Sequence, residues 1–319
     1  MSLAGRSFFR IRDFSREELD SVFSRAQHFK NVYTQGRQIN HLFAQPVSKP
    51  TIVGMVFLEP STRTRMSFET AVKRMGLQSI FLGDVASTSL SKGESEVDTI
   101  ETVASLLPDC LVVRFGGSAQ VQRCLEKLPL PVINAGSGQD GHPTQALLDF
   151  MTMQERFPQM EGQRVLFVGD VLYSRVANSN LELLKSKGVK VGVCSPEFLL
   201  PKGEAWQDVE LFTDLKEAMA WCSVCMVLRV QQERHGQTMN IDMDEYTEKY
   251  RVDAQRMNWL PEESILLNPG PYVDGIELMS DVLSDSRCLI RTQVTNGMFI
   301  RAALVSLLCG IEVKGEQFV

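Results

Sequence analysis

A run of hydroxyl and guanidinium side chains follows the first long apolar segment of the chain. In order, the residues are Ser61, Thr62, Arg63, Thr64 and Arg65. The helical pattern RMSFETAVKRMG starts within this run, so the run falls at a helix N-terminus, where free N–H groups and a partial positive charge attract anions. A hydroxyl cap explains one of these residues but not the whole set. We therefore predict a phosphate site at 61–64 and assign Arg65 to a structural ion pair.

Two further apolar segments of the first half also end in polar groups. Arg114 closes CLVVRF, and His142 follows PVINAGSGQDG with Gln145 three residues later. That spacing puts the imidazole and the amide on one face of a helix start. A lone histidine is usually structural, but this position after a strand favours a role in donating to an oxyanion or moving a proton.

The second half repeats this arrangement. Arg175 follows RVLFVGD, Arg229 and Gln231 end VCMVLRV, and the turn NPGP at 268–271 follows SILL. Open parallel sheets bind ligands beyond the carboxyl ends of their strands, so these positions are candidate ligand contacts. Lys92 lies in the loop STSLSKGES. Loops of this kind often cover a binding site, and the alternative is that Lys92 is a solvated surface lysine.

These positions require a framework of alternating strands and helices. Apolar segments alternate with helical patterns as far as 157, and the alternation restarts at 164. This predicts an α/β fold of two doubly wound parallel-sheet domains, with the active site between them. We place one domain at 1–148 and the other at 149–294. A C-terminal helix within 295–319, with its pattern over 295–311, is expected to pack back on the first domain.

Composition excludes several classes of function. The net charge of −6 and pI of about 5.4 argue against a general nucleic-acid surface. The apolar runs are too short to span a bilayer, and the first residues lack a secretory apolar region. Seven cysteines without framework spacing indicate reduced thiols and a cytoplasmic location.

Two short motifs do not support redox, metal or dinucleotide chemistry. Cys222 and Cys225 form a C-x-x-C within WCSVCMVLRV, which has the pattern of a buried strand, and no second Cys or His pair accompanies them. The VGD at 168–170 lacks the G-x-G-x-x-G spacing, and Asp170 would repel a pyrophosphate. We expect no metal and no cofactor.

The motifs FLEPSTRTRMSFE and HPTQALLD resemble the two signatures of the aspartate and ornithine carbamoyltransferase family, and the similarity extends over essentially the whole chain. LRVQQER at 228–234 is similar to the aspartate branch. The resemblance implies transfer of the carbamoyl group of carbamoyl phosphate to L-aspartate, giving N-carbamoyl-L-aspartate and phosphate in pyrimidine biosynthesis. It also implies a homotrimer with sites at subunit interfaces, and it leaves open a regulatory chain or another pathway enzyme, such as a dihydroorotase, as a partner.

The same resemblance implies roles for individual residues. The implied catalytic residues are His142, Arg114, Thr64 and Arg63. Carbamoyl phosphate would be held by Ser61, Thr62, Arg63, Thr64, Arg114, His142, Gln145, Gly270 and Pro271. Aspartate would be bound by Lys92, Arg175, Arg229 and Gln231. Ser89 and Lys92 would come from the loop of a neighbouring subunit.

One motif departs from the family pattern. Asn268 replaces the histidine of the usual His-Pro-x-Pro, and no arginine occurs between Tyr272 and Arg287. Asn268 keeps a donor and an acceptor, so we expect it to act as a structural pin. The departure leaves two alternatives open: a non-catalytic or partner-dependent homologue, and a carbamoyltransferase for another amino acid. Arg175 and Arg229 favour a dicarboxylate over a basic acceptor.

Overall fold

The computed structural model describes residues 2–43, 50–83, 88–231 and 241–314. Backbone packing divides the chain into two compact units. Unit 1 comprises Met1–Leu147 and Val294–Val319, and unit 2 comprises Leu148–Gln293. Within the described residues, no helix is both long and apolar enough to cross a membrane.

Unit 1 alternates helices and strands along the chain. Its elements are α1 (Arg16–Thr34), β1 (Ile52–Phe57), α2 (Thr62–Arg74), β2 (Gln78–Leu82), α3 (Glu96–Ser105), β3 (Cys110–Phe115), α4 (Ala119–Lys127), β4 (Val132–Ser137) and the start of α5 (Pro143–Arg156). Ser15 caps α1, and Glu18 completes a capping box.

The four strands of unit 1 form one parallel sheet in the order β2-β1-β3-β4. Central strands β1 and β3 are almost wholly buried, which explains their continuous apolar sequences. Phe57 at the end of β1 lies opposite Arg114 near the end of β3. The residues that follow β1, β3 and β4 therefore emerge at a single edge of the sheet.

Unit 2 contains a second parallel sheet. Its elements are β5 (Arg164–Gly169), α6 (Arg175–Ser186), β6 (Lys190–Cys194), β7 (Glu210–Phe212), α7 (Leu215–Trp221), β8 (Val224–Leu228), α8 (Met243–Tyr250), β9 (Ile265–Leu267) and the start of α9 (Ile290–Leu308). The strand order is β7-β6-β5-β8-β9, and all pairs are parallel. The prediction of two parallel-sheet α/β domains is confirmed.

The last helix begins and ends earlier than its sequence pattern indicates. The apolar pattern covers 295–311, whereas α9 runs from Ile290 to Leu308. The first turn of α9 is mostly polar, so it does not show the apolar periodicity from which the helix was predicted. Gly310, with φ of 65°, ends the helix, and the N–H of Ile311 donates to the carbonyl of Ser306, as in a Schellman cap.

Within unit 1, the second part of α9 packs against α1 and α2. The Phe299 ring lies 5.8 Å from the Tyr33 ring, and Arg301 donates to the Ser67 hydroxyl at 2.8 Å. Arg25 of α1 donates to Ser306 at 3.2 Å. The guanidinium groups at this interface thus reach acceptors on neighbouring helices.

The C-x-x-C pair is only partly in a strand. Cys225 belongs to β8, but Cys222 lies at the C-terminal end of α7, which corrects the interpretation of the whole segment as a strand. Both thiols are fully buried, and burial together with the neighbouring Cys222 raises the pKa of Cys225. In the described part of the chain, no group of three or more His, Cys, Asp or Glu residues has a metal-binding arrangement.

Candidate active site

The N-terminus of α2 is not capped by the side chain that precedes it. Ser61 is the N-cap residue and has extended backbone angles, yet its hydroxyl makes no capping hydrogen bond. Six other helices of the described chain are capped by a side chain in this position. Those caps are Ser15, Ser95, Ser118, Ser174, Asp214 and Asp242. The simple capping explanation for the hydroxyl run is therefore wrong at Ser61, and this helix end is suited to an external anion.

Thr64 and His142 are brought into contact at the carboxyl edge of the unit 1 sheet. The Thr64 hydroxyl lies 3.4 Å from Nε2 of His142, and each side chain is only 5% exposed. On the other side of the ring, the Thr144 hydroxyl lies 3.5 Å from Nδ1. If Thr144 donates to Nδ1, then Nε2 carries the proton and can donate toward Thr64 or a ligand beside it. Gln145 is buried one helical turn further along α5.

Arg114 reaches this edge from β3 and lies beside a carboxylate. Its Nε atom is 3.5 Å from Oε2 of Glu59, and its carbonyl accepts the N–H of Leu58 at 2.8 Å. Glu59 therefore orients the guanidinium next to the start of α2. Sequence reasoning assigned no role to Glu59, although it lies inside the first motif.

The turn that leads to His142 is held by close backbone packing and by a buried amide. A Cβ atom on Gly138, whose φ is 41°, would lie 2.5 Å from the carbonyl oxygen of Gly116, so only glycine fits there. Asn134 accepts the N–H of Gly136 at 2.8 Å and donates to the carbonyl of Phe9 at 2.9 Å. Asn134 was missed; its signal is an Asx-type residue two positions before a turn glycine.

The two arginines of the first motif have different surroundings. Arg63 is exposed at the surface, but partial burial lowers its pKa from the ordinary value. Its guanidinium remains charged, and partial desolvation strengthens its attraction for an anion. Arg65 instead stacks 3.5 Å from the Phe81 ring and lies 3.9 Å from Glu69. These contacts fit the structural role assigned to it.

Ser89 and Lys92 form the two ends of an exposed 3-10 turn in unit 1. Gly93, with φ of 97°, ends the turn. The partly buried Leu90 packs on the core under α3 and α4, which anchors the turn while both polar side chains face outward.

In unit 2, Arg175 is the first residue of α6, and Arg229 and Gln231 follow β8. Arg175 is 8% exposed, and the preceding Ser174 caps the helix by accepting the N–H of Ala177. Because β5 and β8 are paired neighbours, both arginines and Gln231 emerge at the carboxyl edge of this sheet. Residues 232–234, the rest of the motif at 228–234, lie outside the described residues.

The segment after β8 is fixed to the turn after β5. The N–H of Gln231 donates to Oδ2 of Asp170 at 3.0 Å, and its side-chain amide donates to the carbonyl of Tyr173 at 2.8 Å. Oδ1 of Asp170 accepts the N–H of Tyr173 at 3.1 Å. From the sequence alone, Asp170 is only a charge that would repel a pyrophosphate. In the structure it is a fully buried acceptor that holds the segment after β8 and the turn after β5 together.

The turn containing Gly270 and Pro271 is held by Asn268, as expected for a structural pin. Its Oδ1 accepts the N–H of Gly270 at 2.7 Å, and its Nδ2 donates to the carbonyl of Val227 at 2.7 Å. The backbone N–H of Asn268 donates to Gln293, whose amide in turn donates to Asp149. The replaced histidine position therefore remains fully hydrogen-bonded.

Two family models match the chain, one after the other. Residues 6–155 match the model described as the aspartate/ornithine carbamoyltransferase carbamoyl-P binding domain, and residues 161–308 match the Asp/Orn binding domain. The chain belongs to the aspartate/ornithine carbamoyltransferase family.

Individual family members are similar over nearly the full length. The aspartate carbamoyltransferase catalytic subunit of Desulfitobacterium hafniense is 37% identical over 310 residues, covering 97% of each chain. Aspartate transcarbamoylase from Trypanosoma cruzi in complex with carbamoyl phosphate and aspartate superimposes with a TM-score of 0.85 at 28% identity, covering 96% of this chain and 97% of that one. Its complex with carbamoyl aspartate and phosphate gives 0.86 at 28% identity, covering 96% of each chain.

Proposed function

We propose that this carbamoyltransferase-family chain is an enzyme that transfers the carbamoyl group of carbamoyl phosphate to the amino group of L-aspartate. The products are N-carbamoyl-L-aspartate and phosphate, which assigns the chain to pyrimidine biosynthesis. The observation that carries the proposal is the contact between Thr64 and His142, because it sets an imidazole beside an uncapped helix N-terminus. The relatives named above support the choice of aspartate.

The phosphate of carbamoyl phosphate binds at the start of α2. Ser61, Thr62 and Thr64 supply hydroxyls, Arg63 supplies a cation, and the helix end supplies N–H groups. Negative charge gathers on this phosphate as its bond to the carbamoyl carbon breaks. A preorganised set of donors stabilises that charge without having to reorganise during the reaction.

The carbamoyl oxygen faces Thr64, Arg114 and His142. Attack by the amine converts the carbonyl into a tetrahedral oxyanion, and donors fixed in advance lower the barrier to forming it. Gln145 and the turn at Gly270 and Pro271 hold the carbamoyl amine. No covalent nucleophile is needed, because the phosphate is already a good leaving group and positioning supplies much of the rate.

The two carboxylates of aspartate bind to Arg175, Arg229 and Gln231. Planar guanidinium groups match carboxylates with paired hydrogen bonds, whereas a basic acceptor such as ornithine would be repelled by them. In this proposal, 1–148 with 295–319 is the carbamoyl-phosphate domain, and 149–294 is the aspartate domain.

The proposal includes a cytoplasmic homotrimer with sites at subunit interfaces. The exposed turn at Ser89 and Lys92 supports it, since a cation on an anchored surface turn can reach a neighbour's substrate. The cytoplasm is supported by the seven cysteines, all of which are free thiols. A regulatory chain or another pathway enzyme remains a proposed partner.

The direct test is carbamoyl transfer by the purified chain with saturating carbamoyl phosphate and either aspartate or ornithine as acceptor. We expect product with aspartate alone. Product with ornithine alone would refute the acceptor assignment. Phosphate binding without turnover of either acceptor would refute the proposed enzymatic activity and favour a non-catalytic or partner-dependent homologue.

The shared site is tested by mixing two inactive variants. Lys92→Ala and His142→Ala each disable the site through a different subunit, so a mixed trimer that exchanges chains regains one intact site. We expect activity to return after mixing and chain exchange. A mixture that stays inactive although mass spectrometry shows mixed trimers would refute the role of Lys92 in a neighbour's site.

A further inference from the structure

A single buried carboxylate links the segment after β8 to the loop after β9. Glu277 is 1% exposed, and both of its oxygens accept backbone N–H groups. Oε1 accepts from Val230 at 2.8 Å, and Oε2 accepts from Val273 at 2.7 Å. Val230 stands between the two side chains proposed to bind aspartate. Val273 lies two residues beyond Pro271, in the turn proposed to hold the carbamoyl amine.

The backbone of Glu277 is itself anchored. Its carbonyl accepts the N–H of Val252 at 2.9 Å, and the N–H of Met279 donates back to the carbonyl of Val252 at 2.9 Å. The intervening Leu278 is fully buried in the unit 2 core. The carboxylate thus projects from a supported strand-like pair, and it can set the position of the two segments that it contacts.

The surroundings of Glu277 explain how a carboxylate is retained there. Burial raises its pKa, while the N–H groups of Val273 and Val230 and the nearby Arg229 guanidinium oppose that rise in pKa. Two other groups face the cluster, the buried Tyr246 hydroxyl and the Asp170 carboxylate. The two N–H donors bind different oxygens of the side chain, which a carboxylate can accept at both positions, whereas an amide would place its NH₂ donor against one of them.

We propose that Glu277 is a positioning residue that fixes the aspartate-binding segment 229–231 relative to the carbamoyl-side turn 269–273. The inference rests on the proposed function. It assigns Glu277 no contact with substrate. Its effect comes from holding two binding segments at a constant spacing, since displacements of about 1 Å in a preorganised site can cost about 100-fold in rate.

The test is Glu277→Gln, because glutamine has the same size but turns one acceptor oxygen into a donor that faces an N–H. The matched control is Asp285→Asn, which alters another carboxylate of unit 2 that accepts both a backbone N–H and side-chain bonds from Arg287. We expect the KM for aspartate to rise about tenfold in Glu277→Gln, as for the loss of a charge-assisted hydrogen bond. In Asp285→Asn, we expect this KM to stay at the wild-type value.

Hydrogen exchange gives a readout that does not depend on activity. In Glu277→Gln, we expect faster exchange at 229–231 and at 272–274, with unchanged exchange in β5 and β6. A KM for aspartate within about twofold of the wild type, together with stability lost as in Asp285→Asn, would overturn the positioning role. Unchanged exchange at both segments would overturn it as well. If the wild-type chain does not turn over aspartate, the proposed function is refuted. The hydrogen-exchange experiment then still decides whether Glu277 holds segments 229–231 and 269–273 together.

Discussion

The side chain of Asn268 donates to the carbonyl of Val227 at 2.7 Å, so the turn after β9 is tied to the end of β8. The same side chain accepts the N–H of Gly270. The bond to Val227 is buried, and the bond to Gly270 is partly buried. The asparagine thus keeps the ends of β8 and β9 and the turn together.

Asn268→Ala should lower the free energy of unfolding by about 1 to 3 kcal/mol, because it leaves a buried carbonyl and a partly buried N–H without their partner. Urea denaturation measures this change. Asn258→Ala, at an exposed position of the same unit, is the control and should change stability little. Equal stabilities for the two variants would contradict the pinning role.

Arg63→Ala should abolish carbamoyl-phosphate binding and leave the fold intact, since its side chain is exposed and is proposed to bind the phosphate. Calorimetric titration with carbamoyl phosphate and thermal unfolding measure the two effects. Arg65→Ala is the matched control. It should retain binding and lose about 0.5 to 1 kcal/mol of stability with the stacking on Phe81. Normal binding by Arg63→Ala would rule out the phosphate assignment.

His142→Ala should lower kcat about 100- to 1,000-fold, as for removal of an oxyanion donor. The KM for aspartate should change far less, because the imidazole is proposed to contact the carbamoyl group and not aspartate. Steady-state kinetics with both substrates give these values. His41→Ala removes an exposed imidazole of unit 1 and should be fully active. A kcat close to that of wild type would contradict the role of His142.

Arg229→Ala should raise the KM for aspartate about 10- to 100-fold, the range expected for losing a charged hydrogen bond. Binding of carbamoyl phosphate should not change. Arg164→Ala is the control, since Arg164 lies at the amino end of β5, at the opposite edge of the same sheet. If aspartate dependence is the same in both variants, Arg229 does not bind the acceptor.

The ion pair of Asp285 and Arg287 should make stability depend on acidity. The Arg287 guanidinium, bonded to both oxygens of Asp285, lowers the pKa of that carboxyl. A lowered pKa in the folded state contributes stability above the ordinary pKa and loses it as pH falls through the folded value. The difference in unfolding free energy between wild type and Asp285→Asn should therefore be constant above about pH 5 and shrink progressively as the pH falls below the ordinary pKa of an aspartate. A pH-independent difference would contradict this.

Local sequence patterns were sufficient to predict much of the fold and the position of the hydroxyl run at a helix start. The hydroxyl run after β1 lies where a helix starts, because capping chemistry and helical periodicity are both local. The short strand β7 (Glu210–Phe212) and helix α8 (Met243–Tyr250) were not predicted, since both are short and polar, and their positions depend on tertiary packing.

Buried acceptors of the candidate site were harder to foresee. Asp170 and Glu277 hold the N–H groups of Gln231 and Val230, and Glu277 lies 47 residues from its partner. Nothing in the local sequence distinguishes a carboxylate that will bind distant backbone from one that will face water. Asn268 was foreseen because it interrupts a known motif, and its two hydrogen-bonding groups suggested what it would do.

The double attachment of Glu277 has a consequence for redesign and for divergence of this family. A loop grafted alone after β8 or after β9 would bring its own backbone spacing and would leave one oxygen of the carboxylate without its donor. We therefore expect that a change of acceptor specificity requires the two loops and residue 277 to be replaced together. Libraries that vary the three segments jointly should yield active chains more often than libraries of equal size that vary either loop by itself.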